Sequence, residues 1–251
     1  MSAVAVSTQA DSPAEDSEAA ADMHGDIWGL LLSVALIVTC LLIAFLISRY
    51  GRKAFGNLCP EIARKVVHIG VSNWFFIYCH VFETDLWPII GLAGFGVINA
   101  VMNLSGGLHV MMGQESTKRN WGLVQYPISI ILLILLRHFG VGDIVCVGCG
   151  VLGMGYGDGL ASIVGMKVRS GHMPGQKKKT IAGSVTMAVV TFVIVLVLNM
   201  AYRQEIAFSR TLLISALAAI CATFVEAYTP LGLDNISVPL TIYLIAGLML
   251  L

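Results

Sequence analysis

Residues 141–165 read VGDIVCVGCGVLGMGYGDGLASIVG, an apolar run opened by Asp143, dense in glycine, and carrying a second carboxylate, Asp158, deep within it. Gly148-Cys149-Gly150-Val151-Leu152-Gly153 satisfies the Gly-x-Gly-x-x-Gly of a dinucleotide-binding turn. No strand precedes it and it lies inside the apolar run, so the match is a decoy. With Gly155, Gly157 and Gly159 it forms overlapping Gly-x-x-x-Gly steps, which let helices approach closely inside a membrane. An acid in such a span costs roughly 2.5–3.5 kcal/mol even on lenient insertion scales, so Asp158 needs a reason to be there.

Working outward, the 251 residues are 57% hydrophobic and only 12% charged, with mean hydropathy +0.84. Soluble domains carry roughly 25% charged residues, so a soluble globular enzyme is excluded. Fifteen basic and fifteen acidic residues cancel, which gives a nucleic-acid partner no global electrostatic support. Residues 1–26 hold six acids (Asp11, Glu15, Asp16, Glu18, Asp22, Asp26) and no Lys or Arg, and read as a disordered tail. They lack the positive region of a secretory signal, so the following apolar run is expected to stay as the first span of one membrane domain, 27–251. Cys146 and Cys149 have redox spacing without accompanying metal ligands, and the other four cysteines are scattered, so ordinary packing accounts for all six.

Apolar runs bounded by charge or turn residues place spans near 27–48, 66–82, 86–103, 121–137, 141–157, 181–201, 211–228 and 235–251. At about 20 residues per crossing they leave no room for a second folded domain, and their lengths suit helices, not barrel strands. The expected class is therefore all-α, a polytopic bundle of about eight transmembrane helices. The loops after the first, third, fifth and seventh spans carry twelve Lys and Arg (Arg49, Arg52, Lys53, Arg64, Lys65, Lys118, Arg119, Lys167, Arg169 and Lys177 to Lys179). The tail and the remaining loops carry three, Arg137, Arg203 and Arg210. Basic excess marks the cytoplasmic side, which puts the N-terminus outside. Trp28, Trp87 and Trp121 sit near span ends as interfacial anchors.

On this topology His68, Asp158, Glu226 and Asp234 all fall at the cytoplasmic ends of spans, level with Arg64, Lys65, Lys177 to Lys179, Asn103 and Asn235. A polar pocket opening to the cytoplasm satisfies them together. Asp143, Glu83 and Asp85 fall at the outer face and are expected as solvated caps. Carboxylates offer the hard oxygens that Mg²⁺ prefers, usually one or two of them plus substrate phosphates, while Arg64, Lys65 and Lys179 complement phosphate oxygens. The combination fits a nucleotide carried as a metal complex. Gly155-Tyr156-Gly157-Asp158-Gly159 is expected to be a flexible loop that breaks the fifth span at the pocket. Each group also has a plainer reading. The lysine run could attract anionic headgroups, Arg64 and Lys65 could merely orient a span, and His68 could be an interior polar residue. Asp158 could simply pair with a lysine in the bundle.

Four segments, in order, resemble the CTP-dependent membrane lipid kinases, the family that includes phytol kinase, dolichol kinase and the CTP-using diacylglycerol kinase. Arg64-Lys65-Val66-Val67-His68 is similar to the family's Arg-Lys-x-x-His, and Gly157-Asp158-Gly159-Leu160-Ala161-Ser162-Ile163-Val164-Gly165 to its Gly-Asp-Gly-x-Ala-x-x-x-Gly. Lys179-Thr180-Ile181-Ala182-Gly183-Ser184 resembles its Lys-Ser-x-x-Gly-Ser with Thr for the first Ser. Glu226, then Asp234-Asn235 and Pro239, resembles its Glu followed by Asp-Asn-x-x-x-Pro. The likeness runs from about residue 60 to the C-terminus, and in size the chain is closer to phytol kinase than to the longer dolichol kinases.

The resemblance implies transfer of the γ-phosphoryl group of CTP to a membrane lipid hydroxyl, of phytol, a polyprenol or diacylglycerol. It places the chemistry at the cytoplasmic face of a bacterial plasma membrane, with Mg²⁺ as cofactor. Asp158 and Asp234 would hold the metal ion, with Glu226 a further ligand or the base and His68 a second candidate base. Arg64, Lys65 and Lys179 would neutralise phosphates. Gly157, Gly159 and Thr180 belong to the nucleotide-binding motifs. Gly183 and Ser184 would offer backbone N–H groups and a hydroxyl at a helix start, and Asn235 would read the base or complete the metal shell. Two alternatives stand beside this reading. A cytidylyltransferase making CDP-lipid shares a Gly-Asp pair, a Lys-Ser/Thr-x-x-Gly segment and CTP. A transporter would also explain buried carboxylates, but it predicts inverted repeats and midplane acids that the sequence lacks.

Overall fold

The computed structural model describes residues 13–105, 121–168, 170–176 and 179–251. The basic residues Lys118, Arg119, Arg169, Lys177 and Lys178 and tail residues 1–12 lie outside the described residues. The elements are α1 (Pro13–Tyr50), α2 (Arg52–Phe55), α3 (Cys59–Ser72), α4 (Trp74–His80), α5 (Leu86–Ser105), α6 (Gly122–His138), α7 (Ile144–Lys167), α8 (Ile181–Tyr202), α9 (Phe208–Tyr228) and α10 (Asp234–Gly247). Short 3₁₀ turns at Gly56–Leu58, Pro230–Gly232 and Leu248–Leu250 complete it. The protein is all-α, with no β-strand among the described residues. Backbone groups within lipid must be satisfied inside each segment, and helices do this without an edge.

Among the described residues, five helices are long and apolar enough to cross a membrane: residues 23–50 of α1, α5, α7, α8 and α9. Helices α6 and α10 are apolar but shorter. The span expected at 66–82 is instead two short helices, α3 and α4, meeting at Asn73, whose side-chain amide donates to the carbonyls of Ile69 and Gly70. Hydropathy sums register the apolar content of that stretch but not this local competition for its carbonyls.

Helix α7 is the axis of the bundle. It is buried almost throughout, whereas α1 turns nearly all of its surface outward. Helices α3, α8 and α10 pack directly against α7, α9 packs against α8 and α10, and α6 joins α5 to α10. The loop expected at residues 155–159 is not a loop, because α7 runs unbroken from Ile144 to Lys167. Its glycines are contact surfaces. A Cβ on Gly157 would stand 2.6 Å from Met187 Sδ, one on Gly153 would stand 2.9 Å from Ile242, and one on Gly159 would strike Ile69. Close packing offsets the helical cost of glycine, about 1 kcal/mol against alanine.

Two helices carry an internal proline. Pro127 in α6 has no N–H to return to the Leu123 carbonyl, and Asn99 of α5 donates to it instead at 3.3 Å. Pro239 in α10 likewise deprives the Asn235 carbonyl of its helical donor, and its own carbonyl lies against Gly150 of α7.

The end of the bundle that holds the α7 start is tied by ion pairs. Asp143 caps α7, accepting from Cys146 N at 2.9 Å, and also accepts from both Nε (3.0 Å) and Nη2 of Arg203. Arg203, 3% exposed, donates further to Asn199 Oδ1 at 2.7 Å and to the Ala246 carbonyl at 3.1 Å, so one side chain joins α7, α8 and α10. Asp85 accepts from Arg137 at 2.6 Å and Tyr78 at 2.7 Å. Asp143 and Asp85 are therefore paired, not simply solvated caps, while Glu83 is exposed. Asp26, counted with the tail, belongs to the folded chain. It is buried inside α1 and accepts from the backbone N–H groups of Glu83 and Thr84 and from the Thr84 hydroxyl.

Removing Arg203 strands a partly buried carboxylate, so Arg203→Met is expected to lower unfolding free energy by about 3 kcal/mol, read from thermal denaturation in detergent. Burial pushes the Asp143 carboxyl up, but Arg203 and the Cys146 N–H outweigh it and hold it below its ordinary value. Its contribution is thus present above about pH 4 and lost as pH falls through the lowered folded value. The stability difference between wild type and variant should shrink in that acid range; a constant difference would show the pair is not responsible.

Candidate active site

At the opposite end, five elements bring charged side chains to one place. Helix α3 supplies Lys65 and His68, three residues apart and so on one face. The middle third of α7 supplies Asp158, which lies inside the helix and not at the span end expected for it, because α7 continues to Lys167; the segment before α8 supplies Lys179, the end of α9 supplies Glu226, and the start of α10 supplies Asp234. Antiparallel neighbours joined by short connections put the approach to α8, the end of α9 and the start of α10 at one level, which Asp158 meets from within α7.

Asp158 is 8% exposed and accepts from Lys65 Nζ at 2.6 Å, with His68 Nε2 at 3.8 Å from the same oxygen. Glu226, 4% exposed, is bonded to Lys179, whose ammonium also lies 3.4 Å from Asp234 Oδ2. Ligand oxygens of Asp158, Glu226 and Asp234 all lie within 4.8 Å of one another. Three carboxylates thus face two ammonium groups. Burial works to lower the Lys179 pKa, but Glu226, Asp158 and Asp234 outweigh it and raise it above the ordinary value, so Lys179 is cationic.

Local structure fixes Lys179. Met173 N donates to the Lys179 carbonyl and Ile181 N to the Gly171 carbonyl, both at 2.9 Å, folding the connection back on itself. Gly175 makes the turn at φ +73°, a conformation that favours glycine. Thr180 then caps α8, its hydroxyl accepting from Gly183 N at 3.2 Å. Ala182 N donates to Ser170 Oγ and Ser184 N to the Thr180 carbonyl, so the backbone donors expected to meet an anion here are engaged within the protein. What the turn leaves is the Ser184 hydroxyl, buried and without a hydrogen-bond partner among the described residues.

Other site residues take different places. Arg64 pairs with Glu61 one turn earlier on α3. Asn235 follows Asp234 in the first turn of α10, its N–H donating to Asp234 Oδ1 at 3.1 Å. Gly157 and Gly159 serve the packing of α7, as described. Asn103 is buried at the end of α5. Tyr126 was not singled out from the sequence. Its ring packs on His68 with centroids 4.6 Å apart, and its hydroxyl donates to the Val151 carbonyl at 3.1 Å. Only its helical position, within an apolar run, was legible beforehand.

An apolar cavity of about 240 Å³ lies between α4 and α8, lined by Asn73, Phe76, Leu152, Tyr156, Val193 and Val197. Tyr156 and Asp158 are two residues apart on α7, about 200° around the helix, so the cavity is on the far side of α7 from the carboxylates.

Lys65→Met leaves Asp158 buried and unpaired and is expected to cost about 3–5 kcal/mol of stability. Adding Asp158→Asn should recover part of that loss, with a coupling of at least about 1 kcal/mol in a double-mutant cycle of thermal unfolding. Additive losses would mean that the two groups do not interact.

The chain is 31% identical over 196 residues to a phytol kinase of Synechocystis sp., a match covering 76% of this chain and 80% of that protein. It is 29% identical over 207 residues to phytol kinase 1, chloroplastic, of Arabidopsis thaliana (75% and 66%). To a probable phytol kinase 3, chloroplastic, of Glycine max it is 27% identical over 207 residues (76% and 63%), so it spans less than two thirds of that relative. No protein-family model matches the chain, and no solved structure matches it.

Proposed function

The chain belongs to the phytol kinase family of membrane lipid kinases, and on that premise we propose that it transfers the γ-phosphoryl group of CTP to the hydroxyl of an isoprenoid alcohol. An acceptor of the phytol type is favoured because the relatives are named as phytol kinases, with a polyprenol or diacylglycerol as the wider class. The reaction is assigned to the cytoplasmic face of a bacterial plasma membrane; the excess of Lys and Arg in the loops at this end of the bundle supports the cytoplasmic side.

The observation that carries the reading is the convergence of Asp158, Glu226 and Asp234 with Lys65 and Lys179 in one cluster. Phosphoryl transfer asks a protein mainly to position reactants and stabilise charge. Oxygen donors from three helices, mutually within 4.8 Å, fit a hard divalent cation such as Mg²⁺, and Asn235, next to Asp234, is assigned to read the base or complete the metal shell. Bound there, the ion would draw charge from the phosphate oxygens. Asp158 and Asp234 are assigned as its ligands. Lys65 and Lys179 neutralise the triphosphate, and the Ser184 hydroxyl donates to it. Glu226 is assigned as a third ligand or as the base that takes the proton of the lipid hydroxyl, with His68, whose buried Nε2 has no hydrogen-bond partner among the described residues, as the second candidate base. Water delivers the nucleotide and the bilayer delivers the alcohol, so a layer at the ends of membrane helices is where both can meet.

Purified protein given γ-labelled CTP, Mg²⁺ and a panel of lipid alcohols should label an isoprenoid alcohol and release CDP; release of pyrophosphate would instead identify a cytidylyltransferase. Asp158→Asn should reduce turnover by about two to three orders of magnitude, a loss of roughly 3–4 kcal/mol of transition-state stabilisation. Lys179→Ala should raise the KM for CTP, and unchanged saturation would remove its phosphate role.

A further inference from the structure

Every carboxylate assigned to the metal ion already holds a cation belonging to the protein. Lys65 Nζ is 2.6 Å from Asp158 Oδ2, and Lys179 Nζ bridges Glu226 and Asp234. Arg64 is paired instead with Glu61 one turn earlier on α3, both side chains more exposed than Lys65 and Asp158. A magnesium-sized ion demands oxygens at about 2.0–2.1 Å in octahedral array. An ammonium group bonded to one oxygen of each of these carboxylates stands close to any ion held between them, and like-charge repulsion opposes a dication placed there in a buried site. If a polyanion arrives with the ion, the repulsion is relieved, because each ammonium then has phosphate oxygens to turn to. The lysine stem is long and flexible, and carries a point charge that can be redirected without moving the helix. The unpartnered Ser184 hydroxyl, five residues beyond Lys179, is a further group awaiting an acceptor.

We propose that Lys65 and Lys179 are resident cations that hold the divalent ion's place in the nucleotide-free site. The metal ion then binds only together with a nucleoside triphosphate, whose phosphate oxygens take over the displaced ammonium groups. The inference rests on the proposed reading of Asp158, Glu226 and Asp234 as metal ligands. It adds an obligatory coupling of metal ion and nucleotide, and makes the lysines competitors of the metal ion as well as ligands of the phosphates.

The test is Mn²⁺ binding to the purified full-length chain in detergent, followed by the paramagnetic resonance of free Mn²⁺, with no nucleotide present. Wild type should bind weakly. Lys65→Gln and Lys179→Gln should bind about tenfold more tightly, as expected when a competing charge is removed. Lys65→Arg and Lys179→Arg, which keep the charge, should stay at the wild-type value. Adding Asp158→Asn to either glutamine variant should abolish the gain. In wild type, binding of a non-hydrolysable CTP analogue should strengthen about tenfold when Mn²⁺ is supplied. Tight Mn²⁺ binding by wild type without nucleotide, sensitive to Asp158→Asn, would overturn the proposal while leaving the metal site intact. So would unchanged or weaker Mn²⁺ binding in folded glutamine variants when the analogue still responds to Mn²⁺ through Asp158. Mn²⁺ binding that ignores Asp158 in every variant, with or without analogue, would overturn both the proposal and the reading beneath it. The wild-type measurements need no substitution, so they decide the matter even if a glutamine variant fails to fold.

Discussion

A carboxylate taken out of water has to be neutralised where it sits, and three of them gathered within 4.8 Å cannot neutralise one another. That constraint organises one end of this protein. Lys65 brings α3 to α7, and Lys179 brings the connection before α8 to α9 and α10. Remove either lysine and the acids repel; remove the acids and the helix ends lose their common partner. The groups assigned to chemistry are therefore also the groups that close the bundle at this level, so function and local stability are expected to move together on mutation.

Away from this layer the bundle is held by different means. Lipid tails are as apolar as leucine, so burying an apolar side chain between helices gains little over leaving it in lipid, and close van der Waals approach must supply the difference. The glycines of α7 allow that approach: Gly148 receives the Phe75 ring, Gly150 the Pro239 carbonyl, and Gly157 the Met187 sulfur. Polar clamps then fix the far end, where Arg203 joins three helices and Asp26 holds the turn at Glu83 and Thr84. Between the two polar layers lies a core of Leu133, Ile134, Val147, Val151, Met154, Val195 and Ile242, all fully buried.

Much of this was legible in the sequence, for physical reasons that also explain what was not. Apolar run length reports transfer into lipid, and it located the long helices. The acids and bases that hydropathy could not justify pointed to the layer where the structure brings Asp158, Glu226, Asp234, Lys65 and Lys179 together. Helix continuity was misread in both directions. Asn73 interrupts an apolar stretch by taking two carbonyls, whereas Gly155, Gly157 and Gly159, which read as a loop, stay helical because their missing side chains are what the neighbours pack into. Partners were the other blind spot. Asp143 and Asp85 look solvated until the arginines sixty and about fifty residues away are folded onto them, and no periodicity encodes that meeting. The capping of α8 by Thr180 and Ser170 is local, yet its consequence, that the first-turn donors are already used, depends on the return of the preceding connection.

The two ends also differ in the cation they use. At the end that only has to hold, the cations are Arg203 and Arg137. Arg203 spreads its guanidinium over Asp143, Asn199 and the Ala246 carbonyl in a planar fork that a flexible ligand could not easily replace. At the end assigned to catalysis the cations on the buried acids are lysines, each a single charge on a stem with several rotatable bonds. Arg64 is present there but is set aside on Glu61. A permanent clamp is better made from arginine, whose geometry fixes several bonds at once, and an exchangeable one from lysine, which can leave an acid for a phosphate without disturbing a fork of donors. Arginine on the structural acids and lysine on the acids assigned to catalysis is the distribution that a site built to trade its own cations for a metal ion and a triphosphate would need.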